Sequence, residues 1–239
     1  MGQFDGKVVM VTGAAGNLAR GVLMRFAQAG AKLVLVDVRQ EWLDGAVQAL
    51  QGVLGEYLVL VGDIGKPEAM DALIAQAAEK FGQIDVLLHT AGGFAMGTPV
   101  HESDFEVYER MMYLNAQLTW VACGRVAKHM VDKGVKGSII AVLARSGLKG
   151  AKHMAAYTAS KAAAERIIQS MAAEVLEYGI RVNGVMPSTI DTPANRRDMP
   201  NADFTKWVSP AQIADVMAFL ASDAASAISG DSISVYNRA

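Results

Sequence analysis

Cysteine is almost absent from this chain. Cys123 is the only one in 239 residues, so no intrachain disulfide can form, and a reducing, cytoplasmic setting is expected. Charge is also scarce. Charged residues make up 19 % of the chain and the formal net charge is -2. That balance argues against a nucleic-acid binder working through a basic face and against an acidic disordered tail. No uninterrupted apolar run reaches the roughly 18 residues of a membrane span. The stretch from Met1 to Lys7 lacks the basic-then-apolar layout of a secretory leader. The four histidines (His89, His101, His129 and His153) are scattered without zinc-type spacing, so no metal site is expected. What remains is a partner of small-molecule kind, with neither nucleic acid nor membrane.

Hydrophobic residues make up 52 % of the chain, enough for a sizeable core, and they fall into alternating short strand-like and longer helix-like segments. Lys7 to Thr12 reads as a strand. It runs into the turn Gly13-Ala14-Ala15-Gly16-Asn17-Leu18-Ala19, then a helical pattern to Gly30 and a second strand, Lys32 to Val36, with Asp37 at its end. This is a βαβ unit. In such units the glycines admit a pyrophosphate to the backbone, the helix N-terminus attracts it, and the acid after the second strand binds ribose hydroxyls. Asp37 would repel a 2′-phosphate and so favours NAD(H), while Arg20 and Arg39 leave NADP(H) open.

The alternation continues through a helix at 41–51, strand 57–61, helix 67–81, strand 84–89, a helical region at 103–133, strand 138–143 and a helix from Tyr157 to about Tyr178. Strand 180–185, a polar segment through Trp207, helix 210–221 and strand 232–236 complete the chain. Without a linker or repeat, this predicts one doubly wound α/β domain over 1–239 with a mainly parallel sheet and helices on both faces. Asp63, followed by Ile64, is placed to meet an adenine amino group or simply to close a turn. Ala91-Gly92 brings backbone close to a ligand. Asn115 in a helix interior, where Asn is a poor helix former, calls for a packing or functional reason. Tyr157 and Lys161, four apart on one helix, share a face. An ammonium there is expected to stabilise the phenolate, making the phenol a general acid or base.

Thr12-Gly13 with Gly16, then Asp63, Ala91-Gly92, Asn115, Tyr157-x-x-x-Lys161, and Asn183-x-x-x-Pro187 followed by Thr192, in this order and spacing, resemble the short-chain dehydrogenase/reductase family over essentially the full length. The resemblance implies a seven-stranded Rossmann-type sheet and NAD(P)-dependent hydride transfer. By it, Tyr157 is the proton donor or acceptor, Lys161 holds the ribose, and Asn115 holds a water in a proton relay. The implied cofactor set is Gly13, Gly16, Asn17, Leu18, Asp37, Asp63, Ile64, Ala91, Gly92, Pro187, Ile190 and Thr192. It also implies a homodimer or homotetramer, for which exposed Trp120 and Val121 would suit the contact.

The pattern breaks at several points. Asn17 and Ala19 stand where many members carry glycine, Ser188 follows Pro187, and His89-Thr90 replaces an asparagine pair. Most directly, the residue thirteen before the tyrosine, where the family's serine lies, is Ala144. Ser146 is two residues further on, which along an extended chain is roughly 6–7 Å away and out of hydrogen-bond reach unless the loop bends back.

The segment 191–207, part of an expected substrate lid at about 188–210, and the Ala91-Gly92-Gly93-Phe94 loop are similar to those of dihydropteridine reductases, which also lack the serine. Three functions follow as expectations: a carbonyl reductase using Ser146, a reductase of quinonoid imines that needs no serine, or a degenerate NAD(H)-binding protein. A partner-binding subunit that keeps only the fold is a further class. Phe94, Met96, His153, Met154, Met199 and Trp207 are the candidate substrate contacts.

Overall fold

The computed structural model describes residues 2–53 and 55–238; Met1, Leu54 and Ala239, including both ends of the expected 1–239 span, lie outside the described residues. In chain order the elements are β1 (Val8–Thr12), α1 (Asn17–Gln28), β2 (Lys32–Asp37), α2 (Gln40–Gln48), β3 (Tyr57–Val61), α3 (Pro67–Phe81) and β4 (Val86–His89). Then come α4 (Phe105–Met111), a π-helical segment (Met112–Gln117), α5 (Leu118–Lys133), β5 (Ser138–Val142), α6 (Ala155–Val175), β6 (Arg181–Pro187), α7 (Pro193–Asp198), α8 (Pro210–Ala221) and β7 (Ser232–Val235). The strands form one seven-stranded sheet of order β3-β2-β1-β4-β5-β6-β7. All its pairings are parallel.

The inner strands are buried on both faces, which explains their nearly unbroken apolar runs, while the edge strands β3 and β7 are partly exposed. Side chains alternate between two apolar layers. Met10, Leu87 and Ile139 face α3, α5 and α6. Val9, Val11 and Leu88 face α1, α2 and α8, whose largest contribution is the fully buried Phe26. Strand order reverses between β1 and β4, so the connections leaving these two neighbours go to opposite faces. In open α/β sheets that divergence leaves a crevice beyond the carboxyl ends of the strands.

Two regions differ from the sequence expectation. The 103–133 stretch is helical from Phe105, but its middle is wound as a π-helix around Asn115. The segment after Pro187 is not merely polar loop. It holds α7, a 3-10 turn at Phe204–Lys206 and a bridge between Ile190 and Val208. Asp191 pairs with Arg196 in a two-pronged contact of 2.6 and 2.8 Å, Arg196 lies over Phe204, and Phe204 packs on Trp207. Local charge and ring contacts, invisible to hydrophobic periodicity, stabilise this flap.

Helix α8 closes against α1. A Cβ on Gly21 would come within 2.8 Å of Pro210, so the two helices meet at glycine distance. Its start is fixed by a reciprocal cap: Ser209 Oγ accepts from the Gln212 N–H, and the Gln212 side chain accepts from the Ser209 N–H. Ser209→Ala is expected to cost about 1 kcal/mol in urea denaturation, and Ser209→Asp to recover most of it.

Candidate active site

The crevice between β1, β2 and β4 holds a cavity of about 1430 Å³. Gly13, Gly16, Asn17, Asp37, Asp63, Ile64, Ala91 and Gly92 line it, as expected. Gly13 has φ +69, and a Cβ there would lie 2.7 Å from the Ala91 backbone, so only glycine lets the two loops meet. Gly16 is the N-cap of α1 without a side-chain cap, so the first turn's N–H groups keep their capacity for an anion. Asp37 Oδ2 accepts from the Ala15 N–H at 3.1 Å and Oδ1 from the Val38 N–H at 2.7 Å. The carboxylate therefore shapes the glycine turn while each oxygen retains further acceptor capacity. This cradle fits a dinucleotide.

Four expected cofactor residues stand outside the cavity. Leu18 is packed in the core beneath α1, Pro187 is buried at the end of β6, and Ile190 forms the bridge to Val208. Thr192 is buried, and its hydroxyl accepts from the Asn195 N–H as the N-cap of α7. Asp63 takes the turn role: Oδ1 accepts from the Gly65 N–H at 3.0 Å and from the Tyr113 hydroxyl at 2.6 Å. Burial and this bond raise the Tyr113 phenol to about 12. The sequence reading missed Trp42, which lines the cavity with the Arg39 guanidinium 4.5 Å over its ring. A tryptophan soon after Asp37, at the start of the following helix, was the available signal.

Asn115 is 1 % exposed and fully occupied. Its Oδ1 accepts from the Gly93 N–H at 3.1 Å, and its Nδ2 donates to Gly93 O and Ser160 Oγ, both at 3.0 Å. The side chain thus pins the loop after β4 to α6. A Cβ on Gly92 would stand 2.9 Å from Asn115 Oδ1 and 3.3 Å from Lys161 Nζ, so glycine is required there as well. Ser160, inside the Tyr-x-x-x-Lys motif and not anticipated, is the partner that carries this brace onto α6.

Tyr157 and Lys161 are not among the residues that line the cavity, although Lys161 Nζ stands 3.3 Å from where a Cβ on Gly92 would be, and burial, not the ammonium, sets the direction of the phenol's shift. Lys161 Nζ donates to Val142 O at 3.0 Å, and burial brings the ammonium down to about 8. Burial raises the Tyr157 phenol, and a hydrogen bond with the Ser146 side chain partly offsets the rise. The extended-chain estimate that put Ser146 out of reach fails because the backbone coils. After extended Ala144 the chain turns through a 3-10 helix at Arg145–Gly147, closed by the Gly147 N–H on Ala144 O. Two hydroxyls therefore stand side by side, able to exchange a proton and to bind one oxygen together.

Around them, Phe94 sets its ring edge-on to Tyr157 at 4.8 Å. Its loop is tied to α6 by the Gly97 N–H on the carbonyl of His153, which adopts φ 62. Met96 and Met199 are exposed, and Met154 is the N-cap of α6. Trp207 is 8 % exposed and packs under the flap instead of presenting a contact surface. Of the two expected interface residues, Trp120 is 67 % exposed and Val121 is buried. Among the described residues no group of acids, histidines or cysteines could hold a metal, and no helix is long and apolar enough to cross a membrane.

A family model described as short chain dehydrogenase matches residues 7–203. The chain is 31 % identical over 244 residues to a glucose 1-dehydrogenase of Gluconobacter oxydans (strain 621H), covering 98 % of this chain and 91 % of that one. It is 33 % identical over 241 residues to a cis-4-hydroxycyclohexanecarboxylate dehydrogenase of Sinomonas cyclohexanicum, covering 97 % and 96 %. The structure of an NAD+-bound xylitol dehydrogenase superposes with a TM-score of 0.91 at 25 % identity, covering 98 % of this chain and 99 % of that one.

The Asn115 brace is testable without any substrate. Asn115→Ala leaves the Gly93 N–H and C=O and the Ser160 hydroxyl without their partner in a buried layer. It is expected to lower stability by about 2–3 kcal/mol in urea unfolding.

Proposed function

The chain belongs to the short-chain dehydrogenase family, and on that premise we propose that it interconverts a secondary alcohol and its ketone, with Tyr157 as acid–base and Ser146 as the second hydroxyl donor. It is an NAD(P)-dependent oxidoreductase acting on a small molecule. What carries the finer reading is the 3-10 turn that brings the Ser146 side chain to the Tyr157 phenol, where it lowers the phenol's pKa against the rise from burial. The relatives' names, which include sugar, polyol and hydroxycyclohexane dehydrogenases, support a carbinol substrate.

When bound, the nicotinamide cofactor supplies or accepts the hydride. The protein's residues handle the proton. In the reducing direction the phenol, kept protonated by burial, delivers its proton to the substrate oxygen while the Ser146 hydroxyl donates to the same oxygen. In oxidation the phenol must first release its proton, and Lys161, with donors beyond its bond to Val142 O, holds the ribose. Asp37 offers acceptors to the adenosine ribose hydroxyls and disfavours a 2′-phosphate there. Arg39 stacks on Trp42 at the cavity and Arg20 lines it, so the preference for NAD(H) rests on Asp37. Exposed Trp120 on α5 is a contact for pairing into a homodimer or homotetramer. A buried lone thiol at Cys123 is in keeping with cytoplasmic placement.

A quinonoid dihydropterin remains the second substrate class. Its motives were the likeness of the 191–207 segment and the Ala91–Phe94 loop together with the alanine at position 144, and Ser146 weakens the last by supplying a donor.

Steady-state assays of NADH formation and consumption, against secondary alcohols, ketones and quinonoid dihydropterin, separate these readings. Tyr157→Phe is expected to abolish turnover while sparing NADH binding. Ser146→Ala is expected to lower kcat on ketones about a hundredfold, with partial recovery in Ser146→Ala/Ala144→Ser. Full activity of Ser146→Ala on ketones would defeat the second-donor assignment, and selective turnover of the pterin would replace the substrate class. Tight NADH binding without turnover of any acceptor would identify a degenerate binder.

A further inference from the structure

His89 ends β4, and its imidazole is 1 % exposed. Its Cα is in register with Thr12 of β1 and Ala141 of β5. Strand alternation puts its side chain on the same face as Leu87, in the layer between the sheet and α5 and α6. Nδ1 lies 2.8 Å from Thr12 Oγ1, while Nε2 is fully buried without a hydrogen-bonding partner among the described residues. A buried polar nitrogen of this kind costs stability unless it has a task.

Lys161 occupies the same layer. Its ammonium donates to the carbonyl of Val142, one residue beyond the register partner of His89. Both groups therefore sit at the carboxyl end of neighbouring strands β4 and β5. They feel each other: burial, and after it the charge on Lys161, hold the imidazole neutral down to about 3. A neutral imidazole has one N–H and one lone pair, and beside a cation the lone pair faces the charge. The proton then sits on Nδ1, directed at Thr12 Oγ1.

Among the described residues, the groups named here bring no unpaired carboxylate to the ammonium. On α6 itself, Tyr157 is one turn before, and Glu165, one turn after, is paired with Arg166 at 2.9 Å. The π segment brings the neutral Asn115. The 144–148 turn brings Arg145, whose guanidinium lies 5.0 Å over the Tyr236 ring.

We propose that His89 is a positioning residue for Lys161: its Nε2 lone pair accepts from a single water to which the buried ammonium donates, and Thr12 fixes the tautomer that makes this acceptor available. The effect is to keep Lys161 charged in a layer that would otherwise favour its neutral form. The catalytic consequence rests on the role proposed above for Lys161, but the contact itself does not.

The test uses full-length enzyme labelled with 15N in lysine and histidine. The Lys161 Nζ signal is assigned by its loss in Lys161→Met. In His89→Leu, Lys161 is expected to titrate about one pH unit lower than in the parent, and in His89→Asn, which keeps an acceptor, to move by less. The parent His89 should show the Nδ1–H tautomer, and Thr12→Val should shift the balance away from it. The alkaline limb of the kcat profile for ketone reduction should move down together with the Lys161 titration, whereas a merely structural defect would lower kcat at every pH.

An unchanged Lys161 titration in folded His89→Leu, or an Nε2–H tautomer in the parent, overturns the proposal. If His89→Leu does not fold, an unchanged titration in both His89→Asn and Thr12→Val does the same. Because the titration needs no substrate, a failed alcohol panel with a responsive Lys161 removes only the proposed reaction. An active panel with an indifferent Lys161 removes only this contact.

Discussion

The reversal of strand order between β1 and β4 is the constraint on which the rest of the molecule depends. Neighbouring parallel strands whose onward chains go to opposite faces cannot close over their own carboxyl ends. The gap is narrowed from below by the Thr12–His89 contact and the Thr90 hydroxyl on Thr12 O at 2.8 Å. It is narrowed from the side by the close meeting of Gly13 and Ala91. The cavity is thus formed by connectivity and kept in shape by a handful of polar contacts at its base.

A second layer of organisation joins this gap to α6. Asn115 is buried with all of its polar atoms used, and the π-wound stretch turns it inward between the Gly93 loop and Ser160. Such a bridge gives a fully satisfied polar network within an apolar layer, the arrangement that fixes one geometry in place of several. It aligns the loop bearing Phe94 with the helix bearing Tyr157. Lys161 then meets the end of β5 through Val142 O, which joins the reactive helix to the sheet as well.

Where local rules determine structure, the sequence was readable. β3 at Tyr57–Val61, α3 from Pro67 to Phe81 and α8 from Pro210 to Ala221 lie within the expected bounds, because each combines a clear apolar period with a terminal proline, glycine or turn. The crevice residues from Gly13 to Gly92 were legible because close backbone approach requires glycine. What escaped was set by tertiary contact. Ser146 reaches Tyr157 only because a 3-10 turn coils where an extended path was assumed. Val121 and Trp120 are adjacent in sequence, yet one turns into the layer beneath α5 and the other out of it. The flap is held by Asp191, Arg196, Phe204 and Trp207, a set of pairings with no periodic signature. Phenol and ammonium share a helix face as spacing requires, but spacing could not reveal that the ammonium turns to a carbonyl.

Of the three tryptophans, Trp120 looks outward from α5, Trp207 is packed beneath the flap, and only Trp42 borders the nucleotide crevice. Its indole emits where a reduced nicotinamide absorbs, so a molecule seated in the crevice reports on itself by energy transfer from a fluorophore the chain already carries. The cofactor's arrival and departure can be followed optically in the unaltered protein.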